Sequence, residues 1–274
     1  MKFEQNPFSV YDFLGYLIPG LLFSYGTLFI IQMNVCDPYH IPKLDLQMDD
    51  YFIVIILSYL IGHILSYLSS VSIELYSIWT LGYPSRYLLN LDFPGFWRNV
   101  FKENNCLKVF LKLCMVLYIY PVIICDVIVR KIFKIKNLLG KPIDIIISNL
   151  IRNKVDNYCI DCFSQKETEK IQKSDTADFF NFIYHYTLEK YPTHVSKLNN
   201  YVSLYGFTRT LCFSFITLSW IIIIRGFGGE FSWSATSIIL VISVISGILY
   251  LDFNKFYRKY SNEVLLAFVS NYKN

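Results

Sequence analysis

The sequence predicts an all-α polytopic membrane protein: four transmembrane helices, a re-entrant or interfacial helix, and a helical cytoplasmic region. Three observations predict it. Hydrophobic residues make up 54% of the 274-residue chain and charged residues only 17%, against about 25% charged in a soluble globular protein. Such a chain cannot cover a water-facing globule with polar surface. Four windows are also apolar over about 20 residues, the length that crosses about 30 Å of hydrocarbon. Finally, charge segregates along the chain in a way that sets a topology.

The first span is Phe13–Met33, free of charged residues. It has no basic region ahead of it and is too long for a cleaved signal, so it reads as a retained span. Its Leu17-Ile18-Pro19-Gly20 predicts a kink or loosened turn, because proline removes a backbone donor. The segment 34–50 follows with one base (Lys43) and four acids (Asp37, Asp45, Asp49, Asp50). The second span, Tyr51–Ser72, is again charge-free.

A fifth window, Val109–Val129, is different. Lys112, Pro121 and Asp126 interrupt it, and only Leu113–Cys125 runs without charge. Both flanks are basic, with Arg98, Lys102 and Lys108 before it and Arg130, Lys131, Lys134 and Lys136 after it. A crossing would strand one basic flank outside. The segment therefore reads as re-entrant or interfacial, with both flanks on one side.

The region 130–209 carries 13 bases and eight acids and is helical by pattern. Ile143, Ile146, Ile147, Leu150, Ile151, Val155 and Tyr158 share one helical face, as do Phe179, Phe182, Ile183 and Tyr186. The second of these starts after a Ser174-Asp175 cap. A polar linker over 162–174 separates the two. From Thr193 to the third span, Gly206–Ile224, only Gly206 weakens helix formation. One helix over 193–224 would reach about 48 Å and project beyond the bilayer. The fourth span, Phe231–Leu251, leads into a basic tail with Phe253, Phe256, Tyr257, Tyr260, Val264 and Phe268 on one face, suited to an interfacial amphipathic helix or to packing on the cytoplasmic helices. Three regions result: 1–78 with the first helix pair, 79–205 cytoplasmic and interfacial, and 206–274 with the second pair and amphipathic tail. Both termini and 79–205 are placed in the cytoplasm, and 34–50 outside.

Within the second span Ser58, Gly62, Ser66 and Ser70 recur every four residues, and Glu74 continues the row. Small residues at this spacing let another backbone approach. The plain reading is internal packing; the sharper ones are a self-association face or a pore lining. His63 adjoins the row near mid-bilayer, where an ionisable group is either satisfied by a neighbouring helix or serves a proton or ligand. Asp12, Glu74, Arg209 and Asp252 mark the cytoplasmic ends of the four spans, as separate anchors or as one charge network gating a vestibule. The gate reading expects Arg209→Ala to alter leakage without disturbing insertion.

Cys159-Ile-Asp-Cys162 lacks the second ligand pair that zinc needs and the βαβ setting of a redox pair, so it reads as two ordinary thiols. Nucleotide-loop, serine-elbow, zinc-protease and dinucleotide motifs are missing. The sequence calls for no catalytic residue, cofactor or metal, and no nucleic-acid module accompanies the basic tail. The expected partners are the lipid bilayer, further copies of the chain, and a cytoplasmic protein or signal.

The start Val10-Tyr11-Asp12-Phe13-Leu14-Gly15-Tyr16-Leu17-Ile18-Pro19-Gly20 resembles the opening of a group of small bacterial multi-pass membrane proteins. The stretch Phe253-Asn254-Lys255-Phe256-Tyr257-Arg258-Lys259-Tyr260, followed by Glu263-Val264, is similar to that group's tail. The resemblance covers the two ends and implies a bacterial inner membrane and an association with antiviral defence. The leading expectation is a non-enzymatic membrane effector or assembly subunit. A small-solute or proton channel or transporter and a membrane-embedded lipid-modifying enzyme are the alternatives. The enzyme would need His185 or His194 to converge with Asp12, Glu74 and Asp252.

Overall fold

A computed structural model describes residues 12–32, 48–89, 106–133, 141–162, 179–226 and 233–272. The acidic loop with Cys36, the outer parts of the basic flanks of the fifth window, the Ser174-Asp175 cap and nearly all of the polar linker lie outside them. The described residues form ten helices. Helix α1 is Phe13–Gln32, α2 Met48–Ser69, α3 Leu75–Leu81, α4 Pro84–Leu88, α5 Cys106–Tyr118 and α6 Tyr120–Val127. Helix α7 is Ile145–Cys162, α8 Phe179–Lys190, α9 Pro192–Gly226 and α10 Trp233–Asn271. Four helical stretches, Phe13–Gln32, Tyr51–Leu88, His194–Gly226 and Ala235–Asn271, are long and apolar enough to cross a membrane. The chain is an all-α, membrane-embedded bundle.

Alignment of the spans follows from close backbone approaches. A Cβ on Gly20 would overlap the Ser58 carbonyl, and one on Gly62 would overlap the Tyr16 carbonyl. Helices α1 and α2 therefore run antiparallel with their backbones in contact, a packing that only the missing Cβ atoms permit. Ser58 donates to Ser24 Oγ across the same interface at 3.0 Å. Helix α9 lies parallel to α1, with Leu218 against Gly26 and Arg225 donating to the Ile30 carbonyl, one of the last carbonyls of α1 and without an intrahelical partner.

Two π turns interrupt the first two spans. In α1 the turn is Phe13–Leu17, where the Ile18 N–H reaches the Phe13 carbonyl. Pro19 explains it: without an N–H, proline cannot bond the carbonyl four residues back, and the preceding turn widens. This is the loosened turn expected from Leu17–Gly20. Between α2 and α3 the turn is Ser70–Glu74, and the small-residue row leaves its face just before it, because residues four apart drift by about 40° per step. Ser58, Gly62 and Ser66 face the bundle, but the row then passes to Ser69 (0% exposed). Ser70 is only half-buried and donates back to the Tyr67 carbonyl at 2.7 Å. Helix α3 ends at Gly82, whose φ of 81° needs a glycine.

The fifth window is a broken helix. Helices α5 and α6 meet at Ile119 with an 80° bend. Pro121 lies in the first turn of α6, where its missing donor is tolerated, whereas inside a continuous helix it would clash with Leu117. Lys112 on α5 stands 5.2 Å over the Trp79 ring, and Asp126, beyond the bend, accepts from Tyr76 at 2.9 Å. Trp79 and Tyr76 are one turn apart on α3, so both arms are tied to the same stretch of that helix. An 80° bend of this kind is that of a broken span or of a re-entrant loop.

Helices α9 and α10, of 35 and 39 residues, extend about 52 and 58 Å and exceed any bilayer core. The boundary at 205/206 falls inside the uninterrupted α9. The projecting ends carry a second core, in which Leu88, Ile151, Ile183, Leu198, Val264 and Phe268 are buried. The tail of α10 thus packs Val264 and Phe268 on the other helices instead of presenting that face to lipid. Two predicted faces are buried in part: Ile143, Val155 and Tyr158 of the first and Tyr186 of the second pack on this core. Ile146 (76% exposed), Ile147 and Leu150 stand outside the core, while Ile151 is fully buried. Ser148 and Arg152 donate to the Leu89 carbonyl and Lys154 to the Val269 and Tyr272 carbonyls, drawing the polar flank of α7 inward. On α8, Phe182 is exposed and Ile183 buried.

Candidate functional site

Polar side chains are buried where the arm of the broken helix beyond Ile119 meets α3. Arg209 of α9 has its side chain 9% exposed and pairs with Glu74. Its Nε donates to Ser69 Oγ at 3.1 Å and its Nη2 to the Ser66 carbonyl at 3.5 Å. Ser69 closes α2 and Glu74 ends the π turn Ser70–Glu74 that follows, so the two partners of Arg209 flank that turn.

One turn along α3 lies a second cluster. Asp126 is 1% exposed and accepts on Oδ2 from the Tyr76 hydroxyl and from Arg130. The Tyr76 and Tyr250 rings are 6.2 Å apart. Ser77 donates to Asn254 Oδ1 at 2.6 Å, and Asn254 Nδ2 to the Tyr250 carbonyl at 2.9 Å. One atom in this cluster, Asp126 Oδ1, is buried without a hydrogen-bond partner among the described residues. Burying such groups costs free energy until something satisfies them. Together the clusters form a polar belt joining α2, α3, the hairpin, α9 and α10.

The tip of the hairpin is also held by polar groups. The Tyr118 hydroxyl meets Thr217 Oγ1 at 2.7 Å, and Trp220 Nε1 donates to the Tyr118 carbonyl at 2.8 Å. That carbonyl lies just before the break at Ile119, where helical pairing lapses. Tyr120 meets Ser243 at 3.3 Å. Below the tip, a Cβ on Gly247 would come within 2.9 Å of Cys125, so glycine lets α6 lie against α10. Thr217 is eight residues from both Arg209 and Arg225, about 12 Å along α9 each way. The tip therefore reaches halfway through the bundle.

Of the residues singled out from sequence, Glu74 and Arg209 are joined. Asp252 lies apart, paired with Lys255 at 3.4 Å on the exposed side of α10. Asp12 heads α1, half-buried. His63 is exposed on the outside of the bundle, its ring stacked on Tyr16 at 3.8 Å. His194 pairs with Glu263 at 3.4 Å, fifteen residues along α9 from Arg209 and about 22 Å away; it does not join the carboxylates of the belt. His185 lies on α8 with its ring against Tyr184. Sequence reasoning missed Tyr76, Asp126, Arg130, Tyr250 and Asn254 as a group. Asp126 was visible as a charge inside an apolar window, but its partners come from helices far apart in the chain.

Compared with models of protein families, with curated proteins and with solved structures, the chain matches none.

Proposed function

We propose that this chain is a non-enzymatic membrane effector in which a cytoplasmic helical region receives a partner or signal and alters membrane permeability through the re-entrant hairpin. The observation that carries the reading is continuity. Helices α9 and α10 each run unbroken from the projecting core, where Leu198 and Phe268 are buried, to the membrane core, where Phe213 and Tyr250 pack with Ile119 of the hairpin. A rotation or shift at one end is thereby transmitted to the belt at the other, as expected of two-state elements that couple distant sites.

The orientation rests on charge: +5 over 130–209 and +2 over 252–274, against −3 over 34–50, which the positive-inside rule places in the cytoplasm and outside respectively. The inner membrane of a bacterium and a defence role follow from the resemblance of the two ends, and assembly of several copies from the small residues of the second span; all belong to the same proposal. Dye release from liposomes holding the purified protein tests it. Leakage that changes in Arg209→Ala or in Phe268→Ala is expected; intact vesicles with every candidate activator would count against permeabilisation.

A proton or small-solute pathway is the second reading, favoured by the orphaned Asp126 Oδ1 inside the bundle. It predicts gradient-driven flux that Asp126→Asn abolishes.

A further inference from the structure

We propose that the outward face of α2 is a self-association seam and that a second copy of this chain covers His63. Along α2, Ile53, Ile56, Leu60, His63 and Tyr67 follow one another at alternating spacings of three and four. All five are exposed, Leu60 at 55% and Tyr67 at 68% among them. That spacing is the seam of a left-handed helix pair.

His63 makes the seam more than a lipid-facing stripe. It lies between Tyr51 and Ile73 with twelve residues before it and ten after it, none of the stretch being Asp, Glu, Lys or Arg. Its ring touches Tyr16 and, edge-on at 4.7 Å, Tyr59. Among the described residues, no hydrogen bond reaches either ring nitrogen. An imidazole left so in hydrocarbon costs several kcal/mol, and ionisable residues at this depth ordinarily face protein. Helix α2 cannot roll to bury it, because the adjoining Gly62 is locked against the Tyr16 backbone.

The chemistry selects the occupant. Copies of one chain insert with one topology, so two α2 helices meet parallel and His63 faces its counterpart at equal depth. Neutral imidazole carries one donor and one acceptor and therefore complements itself across a two-fold axis. Lipid offers no polar group at mid-depth. A single polar residue in a helix seam also fixes the register of the pair.

The seam specifies the assembly part of the proposed function, and disulfide cross-linking reads it without any activity. With Cys36, Cys106, Cys114 and Cys162 replaced by serine, Leu60→Cys in oxidised native membranes is expected to give a covalent dimer. The parent chain and Leu68→Cys, exposed on the same helix but off the seam, are expected not to. In the Leu60→Cys background His63→Gln retains the dimer, whereas His63→Leu weakens association about tenfold, the effect of one hydrogen bond between membrane helices. No cross-link at Leu60→Cys, or equal cross-linking at both positions, overturns the seam; an undiminished dimer in His63→Leu overturns the role of His63. Dye release lost while the cross-link persists would count against the effector reading alone.

Discussion

Replacing Arg209 by methionine probes the belt at a buried ion pair. Arg209 and Glu74 have side chains 9% and 20% exposed, so neither is held mainly by water. Removing one member of a buried pair leaves the other uncompensated, which costs about 3–5 kcal/mol. The solvent still reaching Glu74 places Arg209→Met toward the lower figure, about 3 kcal/mol. Glu74→Met leaves the guanidinium with only Ser69 and the Ser66 carbonyl and is expected to cost a similar amount. The double variant removes both charges while filling comparable volume and should fall within about 1 kcal/mol of the parent. The cycle therefore predicts strong non-additivity, about 3 kcal/mol or more. Reversible denaturant unfolding in mixed micelles measures it. Additive singles of less than about 1 kcal/mol each would refute the reasoning and mean that water screens the pair.

Three further outcomes are expected. Asp126→Leu deprives Arg130 and Tyr76 of their shared acceptor and should cost about 3 kcal/mol. It should also speed alkylation of half-buried Cys125, and unchanged reactivity would show that the latch does not hold the hairpin. Gly62→Ala drives a methyl into the Tyr16 backbone and should cost about 3 kcal/mol, the upper range of overpacking. Gly26→Ala meets only the flexible end of Leu218 at 2.9 Å and should cost under about 1 kcal/mol in the same unfolding assay. In the projecting core, burial and then the hydrogen bond to the Cys162 thiol push the Tyr158 hydroxyl up from 10.0 to about 12. The folded state holds this proton more tightly than the unfolded one. Its contribution is therefore complete below pH 10.0 and lost as pH rises to about 12. Tyr158→Phe should flatten that part of the stability curve.

The spans were legible because the hydrophobic signal of a bilayer-crossing helix is local and long. The length of α9 was legible for the same reason: Gly206 alone does not break a helix that tertiary packing supports on both sides. The break in the fifth window was legible, since Lys112 and Asp126 interrupt its apolar run and Pro121 ends a continuous helix there. The belt was not, because Tyr76, Asp126 and Tyr250 are 50 and 124 positions apart in sequence and no periodicity connects them. The faces of α7 and α8 were misjudged where apolar patterning was taken to mark the core. Hydrogen bonds from Ser148, Arg152 and Lys154 to exposed carbonyl ends override the apolar stripe of Ile146 and Leu150. The passage of the small-residue row from Ser66 to Ser69 follows from helix geometry, since residues four apart drift by about 40° per step and a row of that spacing leaves its face.

The proposed function requires that the helix broken at Ile119 enter and leave the membrane on one side. Sidedness of labelling tests it directly. Cys106 is exposed at the head of α5, and Phe133, 63% exposed, follows the π turn after α6. In a chain with Cys36, Cys114 and Cys162 replaced by serine and Phe133→Cys introduced, an impermeant maleimide should reach both thiols from the same face of oriented vesicles. Labelling of Cys106 from one face and of position 133 from the other would make the segment a fifth span. It would move the projecting core to the opposite side of the membrane and remove the basis of the proposed function.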